Sequence, residues 1–270
     1  PSGECQCSQT ILRLASQLYH DFQTMRLGGL TEKINEQKVI SSFYGYSCAD
    51  FTFQNRNCKI VSPKTVTDGQ PWVWRARFWG HEPQTDIALL ERGFHVVYMD
   101  VSEMYGNEES IKLWNSFYDY MQVVSMSKKV VLEGMSRGGI YAYNWALQNP
   151  NKVAAVYADA PVLDMKSWPG GLGKGPGSKD DWTIFKNDFR LTEEQAKNFK
   201  NSPLDNAELI AKGGYPMLHV VGDADEVVPV DENTNPFEVR IKSAGGDITV
   251  IHKKGIGHHP HSLANPTPIV

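Results

Sequence analysis

From residue 72 onward the chain alternates short β-branched runs with segments of helical spacing, and that alternation constrains its fold more than any other feature. The spacing predicts strands over 49–53, 58–61, 72–78, 95–99, 129–133, 153–158, 217–221 and 248–252. Helices fall between them over 85–92, 109–124, 137–148, 192–199 and 236–244. Local signals support these bounds: Gly93 closes one helix, Thr192 and Gln195 form a capping-box pattern, and Pro236 suits a first turn. Strand–helix–strand repetition demands crossover connections, hence a largely parallel sheet with helices on both faces. The first two strands are joined only by a turn around 54–57, so they should start the sheet antiparallel. Ahead of this region, Ile11, Leu12, Ala15, Leu18, Tyr19, Phe22 and Met25 share one helical face, which Gly28-Gly29 ends. The expected division is therefore a helical segment over 1–41 and one domain over 42–270.

Within the alternation, Gly134-Met135-Ser136-Arg137-Gly138 joins a strand to a helix. A serine hydroxyl is a poor nucleophile until it is held out on a tight turn and given a base. The turn needs glycines because side chains at its flanks would clash, so the pentapeptide reads as a nucleophile elbow. Gly222-Asp223-Ala224-Asp225 offers an acid after a later strand, and Gly257-His258-His259 offers a base after the last one. Asp223 competes with Asp225, His259 and His261 compete with His258, and Asp159 after the sixth strand is a reserve acid.

Composition narrows the partners. With a net charge of −4 and 41% hydrophobic residues, the chain has no basic stripe to neutralise phosphates, so nucleic acid is not an expected partner. No apolar run approaches the ~20 residues of a membrane span. Cys5-x-Cys7 lacks a second pair at metal-binding spacing, and a metal site from His81 and the 258–261 histidines has no motif behind it; no metal or cofactor is expected. A bridge between Cys48 and Cys58 is not expected, since a turn centred on Asn55 and Arg56 separates them across the ladder; pairing with Cys5 or Cys7 stays open. Oligomeric state stays open too.

Eight strands with an antiparallel start, and the order Ser136, Asp225, His258, resemble the α/β-hydrolase fold over nearly the whole chain from about Ser42. The resemblance implies a mostly parallel eight-stranded sheet and a short cap after strand six, here the Gly- and Pro-rich stretch over about 164–190. Its frequent G-x-x-D-x-x-V-P and G-x-G-H patterns select Asp225 and His258 as partners of Ser136. The oxyanion donors implied are the amide of Arg137 and one from the loop after the third strand, Phe78 or Trp79. An arginine after the serine is also similar to glucuronoyl esterases, where it supports the oxyanion. His81 and Glu82 close the same loop, and His81, Trp168 and Trp182 are candidate substrate contacts. Trp74-Arg75-Ala76-Arg77-Phe78-Trp79-Gly80-His81-Glu82-Pro83 and the Gly255–Leu263 run resemble a group of bacterial α/β-hydrolases associated with polysaccharide degradation. That implies a carbohydrate esterase acting on acetyl, feruloyl or methyl esters, and a secreted or periplasmic location for a polysaccharide substrate. The alternatives are a peptidase or amidase of the same fold, whose members usually carry an additional domain or a larger cap, and an inactive glycan-binding module.

Overall fold

A computed structural model describes residues 37–270; the helix expected within the first 36 residues lies outside them. Nine strands form one sheet: β1 (Val39–Phe43), β2 (Tyr46–Phe53), β3 (Arg56–Ser62), β4 (Trp72–Arg75), β5 (His95–Met99), β6 (Val130–Met135), β7 (Val153–Asp159), β8 (Met217–Gly222) and β9 (Ile248–Lys253). Their order is β1-β2-β3-β5-β4-β6-β7-β8-β9. Neighbours from β1 to β5 pair antiparallel, and all others run parallel. This is the α/β-hydrolase architecture with one strand more than expected. The extra strand, β1, starts ahead of residue 42 and exposes four of its five residues, so it has no alternation to betray it.

The β2–β3 turn centres on Gln54 and Asn55, both at positive φ, because Phe53 pairs with Arg56. It therefore sits one residue earlier than the sequence suggested. Cys48 and Cys58 are buried and free, facing Val61 and Phe51 respectively. Helices α1 (Gln84–Glu91), α2 (Glu108–Val123), α3 (Gly138–Gln148) and α7 (Thr234–Ser243) match expected helices to within two residues. In the cap, α4 (Lys179–Phe189) was not anticipated, and α5 (Glu193–Lys197) carries the Thr192–Gln195 capping box. The short α6 (Ala207–Ala211) was also not anticipated.

Alternation along β4 shows how the layers form. Trp72 and Trp74 face the larger core, where Trp74 stacks on Trp114 of α2 at 4.1 Å between ring centroids. Val73 faces the opposite layer, with Leu89 and Leu90 of α1. Truncating so buried an aromatic costs about 3–5 kcal/mol. Strand β4 ends at Arg75, three residues before the predicted end. Its buried guanidinium takes up the carbonyls of Arg77 and Phe78, which bends the chain off the sheet. The cap follows β7 and has its own apolar cluster of Trp168, Trp182, Phe185 and Ala196, which reaches Tyr105 and Ile140 of the main body. No helix among the described residues is long and apolar enough to cross a membrane.

Candidate active site

Strand β6 delivers Ser136 to the sheet's carboxyl edge, and the backbone there turns back sharply, with Ser136 at φ +49°. A non-glycine residue in that region is strained and must be held by its surroundings. Here the Ser136 amide donates to the Asp159 carbonyl at 2.8 Å, while its own carbonyl accepts from Gly139 and Val162 at 3.0 and 2.9 Å. The glycine requirement is steric: a Cβ on Gly134 would lie 2.6 Å from the Gly138 carbonyl oxygen. Gly139 is equally constrained, 2.6 Å from the Pro161 Cβ by the same measure.

Ser136, His258 and Asp225 come from three loops and meet in one chain of hydrogen bonds. His258 Nε2 lies 3.0 Å from Ser136 Oγ, and His258 Nδ1 lies 2.7 Å from Asp225 Oδ2. Asp225 Oδ1 accepts from the amides of Val227 and Val228 at 2.9 and 2.8 Å, so the carboxylate cannot swing away. Both partners are nearly closed to solvent. With Nδ1–H donated to Asp225, Nε2 is left as the acceptor facing the serine hydroxyl. Of the competing residues, Asp223 lies at the surface against His252 at 2.7 Å. Asp159 serves another histidine: its Oδ1 is 2.8 Å from His261 Nδ1, and its Oδ2 accepts from Tyr157 and from the Ser262 amide at 2.7 Å.

The loop after β4 is shaped from beneath by Arg75, which is 1% exposed. Its Nε donates to the carbonyls of Arg77 and Phe78 at 3.3 and 3.1 Å, and Nη2 donates to that of His81. Carbonyl and amide of one trans peptide point in opposite directions. Turning these carbonyls toward Arg75 therefore turns the amides of Phe78 and Trp79 away from it. Among the described residues, the amides of Phe78, Trp79 and Arg137 make no hydrogen bond. The Arg75 charge is met by Asp86, and its Nη1 also donates to the Glu133 carboxyl at 3.3 Å, both groups being fully buried. Burial, then the Asp86 charge, pushes the Glu133 carboxyl well above its ordinary range.

A cleft of about 640 Å³ opens over the serine, lined by Phe78, Trp79, His81, Arg137, Trp168 and Val227 among others. The Arg137 guanidinium reaches across it to the cap, bonding Asp181 at 2.7 Å and lying over the Trp168 ring at 4.6 Å. Burial opposes ionisation of Asp181, but hydrogen bonds from Ser178 and Tyr105 and the Arg137 charge outweigh it and hold its carboxyl below the usual range. Tyr105 moves the other way, raised by burial and then by its bond to Asp181. Trp182, expected at the substrate, lies outside the cleft lining; it packs on Phe185 inside the cap and its Nε1 donates to Glu193. Arg75, Asp181 and Tyr105 escaped the sequence reading. Only Arg75 had a visible signal, a charge at an inward position of a strand.

Fold and elbow place the molecule in the α/β-hydrolase superfamily. The chain belongs to the prolyl oligopeptidase family, whose model matches residues 84–266. Among solved structures it is similar to an acylaminoacyl peptidase of Pyrococcus horikoshii, at TM-score 0.60 and 17% identity; the match covers 86% of this chain and 39% of that one. It is also similar to an S-formylglutathione hydrolase of Agrobacterium tumefaciens, at TM-score 0.61 and 16% identity, covering 83% and 92%. A third is Est1E of Butyrivibrio proteoclasticus, at TM-score 0.53 and 18% identity, covering 82% and 90%. At these identities the likeness concerns the fold. No curated protein sequence matches the chain.

Proposed function

We propose that the protein hydrolyses carboxylic esters through an acyl-enzyme on Ser136, and that its substrates are esterified sugars. The observation that carries the reading is the unbroken Ser136–His258–Asp225 chain at the floor of an open cleft. His258 Nε2 takes the hydroxyl proton as Oγ attacks the ester carbonyl, and Asp225 keeps the ring's tautomer and stabilises the imidazolium. The oxyanion then meets the Arg137 amide and that of Phe78 or Trp79, each such donor worth ~2.7–4 kcal/mol in the transition state. His258 returns the proton to the departing alcohol, and water repeats the sequence to free the acid. Trp168 and Trp79 give the cleft aromatic walls beside the Arg137 cation, a combination suited to a sugar ring with polar substituents.

The family match favours a second reading, cleavage of peptide or aminoacyl bonds. The two are separated by assaying aryl esters and acetylated, feruloylated or methyl-esterified oligosaccharides beside aminoacyl anilides. Ester turnover abolished in Ser136→Ala supports the first reading. Turnover of anilides alone supports the second.

A further inference from the structure

Four side chains from two distant segments converge at the wall of the cleft, beside the Ser136–His258 pair. His81 and Glu82 end the loop after β4, and His259 and His261 follow β9; one nitrogen or oxygen of each lies within 4.8 Å of all the others. Glu82 Oε2 is the hub, 3.2 Å from His81 Nε2 and 3.8 Å from His259 Nδ1, and it is fixed by the His261 amide at 2.7 Å. His261 is 3% exposed. Its Nδ1 is committed to the buried Asp159 carboxylate at 2.8 Å, so its Nε2 keeps a lone pair, and no partner meets that atom among the described residues. The ring lies against those of His259 and His81, at 4.7 and 6.0 Å between centroids.

An imidazole with one nitrogen bound to a carboxylate and the other free is the arrangement in which histidine ligates metals, because the carboxylate fixes ring and tautomer. Three imidazoles and one carboxylate suit a zinc-class divalent cation. A tetrahedral zinc with bonds of about 2.0–2.1 Å sets its ligand atoms about 3.4 Å apart, so the four atoms need to draw in by roughly an ångström. The two most exposed members, His81 and His259, are the ones free to rotate, at 49% and 60% side-chain exposure; Glu82 and His261 are already held. We infer that His81, Glu82, His259 and His261 form a binding site for a divalent transition metal, zinc or a close relative, on the cleft wall. Both His81 and His259 line the cleft, so an ion held there sits at the edge of the space a substrate would occupy. The inference does not rest on the ester reading, since metal uptake needs no turnover.

The test is equilibrium dialysis of the full chain against Zn(II), with Co(II) substitution followed by its visible ligand-field bands. Wild type and Ser136→Ala should each take up one equivalent and show the same cobalt spectrum. The double variant His81→Ala/His259→Ala, altered only at exposed side chains, should keep its metal-free melting temperature and lose the bound equivalent. Asp159→Asn should weaken affinity by about 10–100-fold, the usual effect of removing a ligand's carboxylate partner. His258→Ala should still bind. Absence of stoichiometric uptake by wild type overturns the site. So does uptake that survives the double substitution, or uptake that His258→Ala alone abolishes, which would place the ion on the serine's own histidine.

Discussion

Replacing Arg75 by lysine tests whether the loop after β4 is positioned from beneath. The guanidinium serves three carbonyls, of Arg77, Phe78 and His81, and two carboxyl groups, of Asp86 and Glu133. Outright truncation would leave a buried carboxylate unpaired, at about 3–5 kcal/mol, a large part of the ~5–15 kcal/mol that holds a typical domain together. Lysine keeps the charge beside Asp86 but gives up the planar fork that reaches the loop. Freed carbonyls cost about 1–3 kcal/mol each when they stay buried, so the loop should relax until water meets them. Its Phe78 and Trp79 amides then leave the position they hold now. Losing one oxyanion donor costs ~2.7–4 kcal/mol, or about 10²–10³ in kcat. The expected result for Arg75→Lys is therefore a fall of that size in kcat for an aryl ester, with KM nearly unchanged and a folded protein by melting and circular dichroism. A variant that melts lower yet turns over at the wild-type rate would refute the link between Arg75 and the oxyanion loop.

Two further outcomes follow from the site. Asp225→Asn should leave the fold intact and lower kcat by about 10⁴, because asparagine can hold the ring in the wrong tautomer; a loss confined to KM would argue against the role given to Asp225. Glu133→Gln concerns stability and pH. The folded-state pKa of Glu133 lies well above its unfolded value, raised by burial and then by Asp86, so its contribution is fully present below about pH 4.3 and is lost as pH climbs through the folded pKa. Glutamine stays neutral and removes that loss. The melting temperature of Glu133→Gln relative to wild type should therefore rise as pH climbs above about 4.3, and a flat difference above that pH would contradict a neutral Glu133.

How much of this was legible in the chain depended on how local each signal is. The parallel strands and their helices announced themselves by period, and the elbow by its glycines, of which Gly134 meets its steric limit at Gly138, two residues beyond the serine. Strand β1 was invisible because it is an exposed edge that borrows its conformation from β2. Helix α4 begins directly after a Gly- and Pro-rich run, and the Ser178 cap that starts it carries little weight in such a context. Trp182 looked like a ligand contact but fills the cap's own core, the commoner fate of a tryptophan. The pairing of Asp159 with His261 spans 102 residues and that of Arg75 with Glu133 spans 58. No spacing rule reaches so far, since such contacts are set by which loops the sheet order brings together. For the same reason the convergence of His81 and Glu82 on His259 and His261 has no motif in the sequence.

Labelling by a fluorophosphonate tests Ser136 as the nucleophile of a working hydrolase without knowledge of the substrate. Rapid stoichiometric modification is expected, mapped by peptide mass to Ser136, with no modification of Ser136→Ala or of protein whose His258 is replaced by alanine. A wild-type protein that stays unlabelled, or a label that maps to another residue, would contradict it.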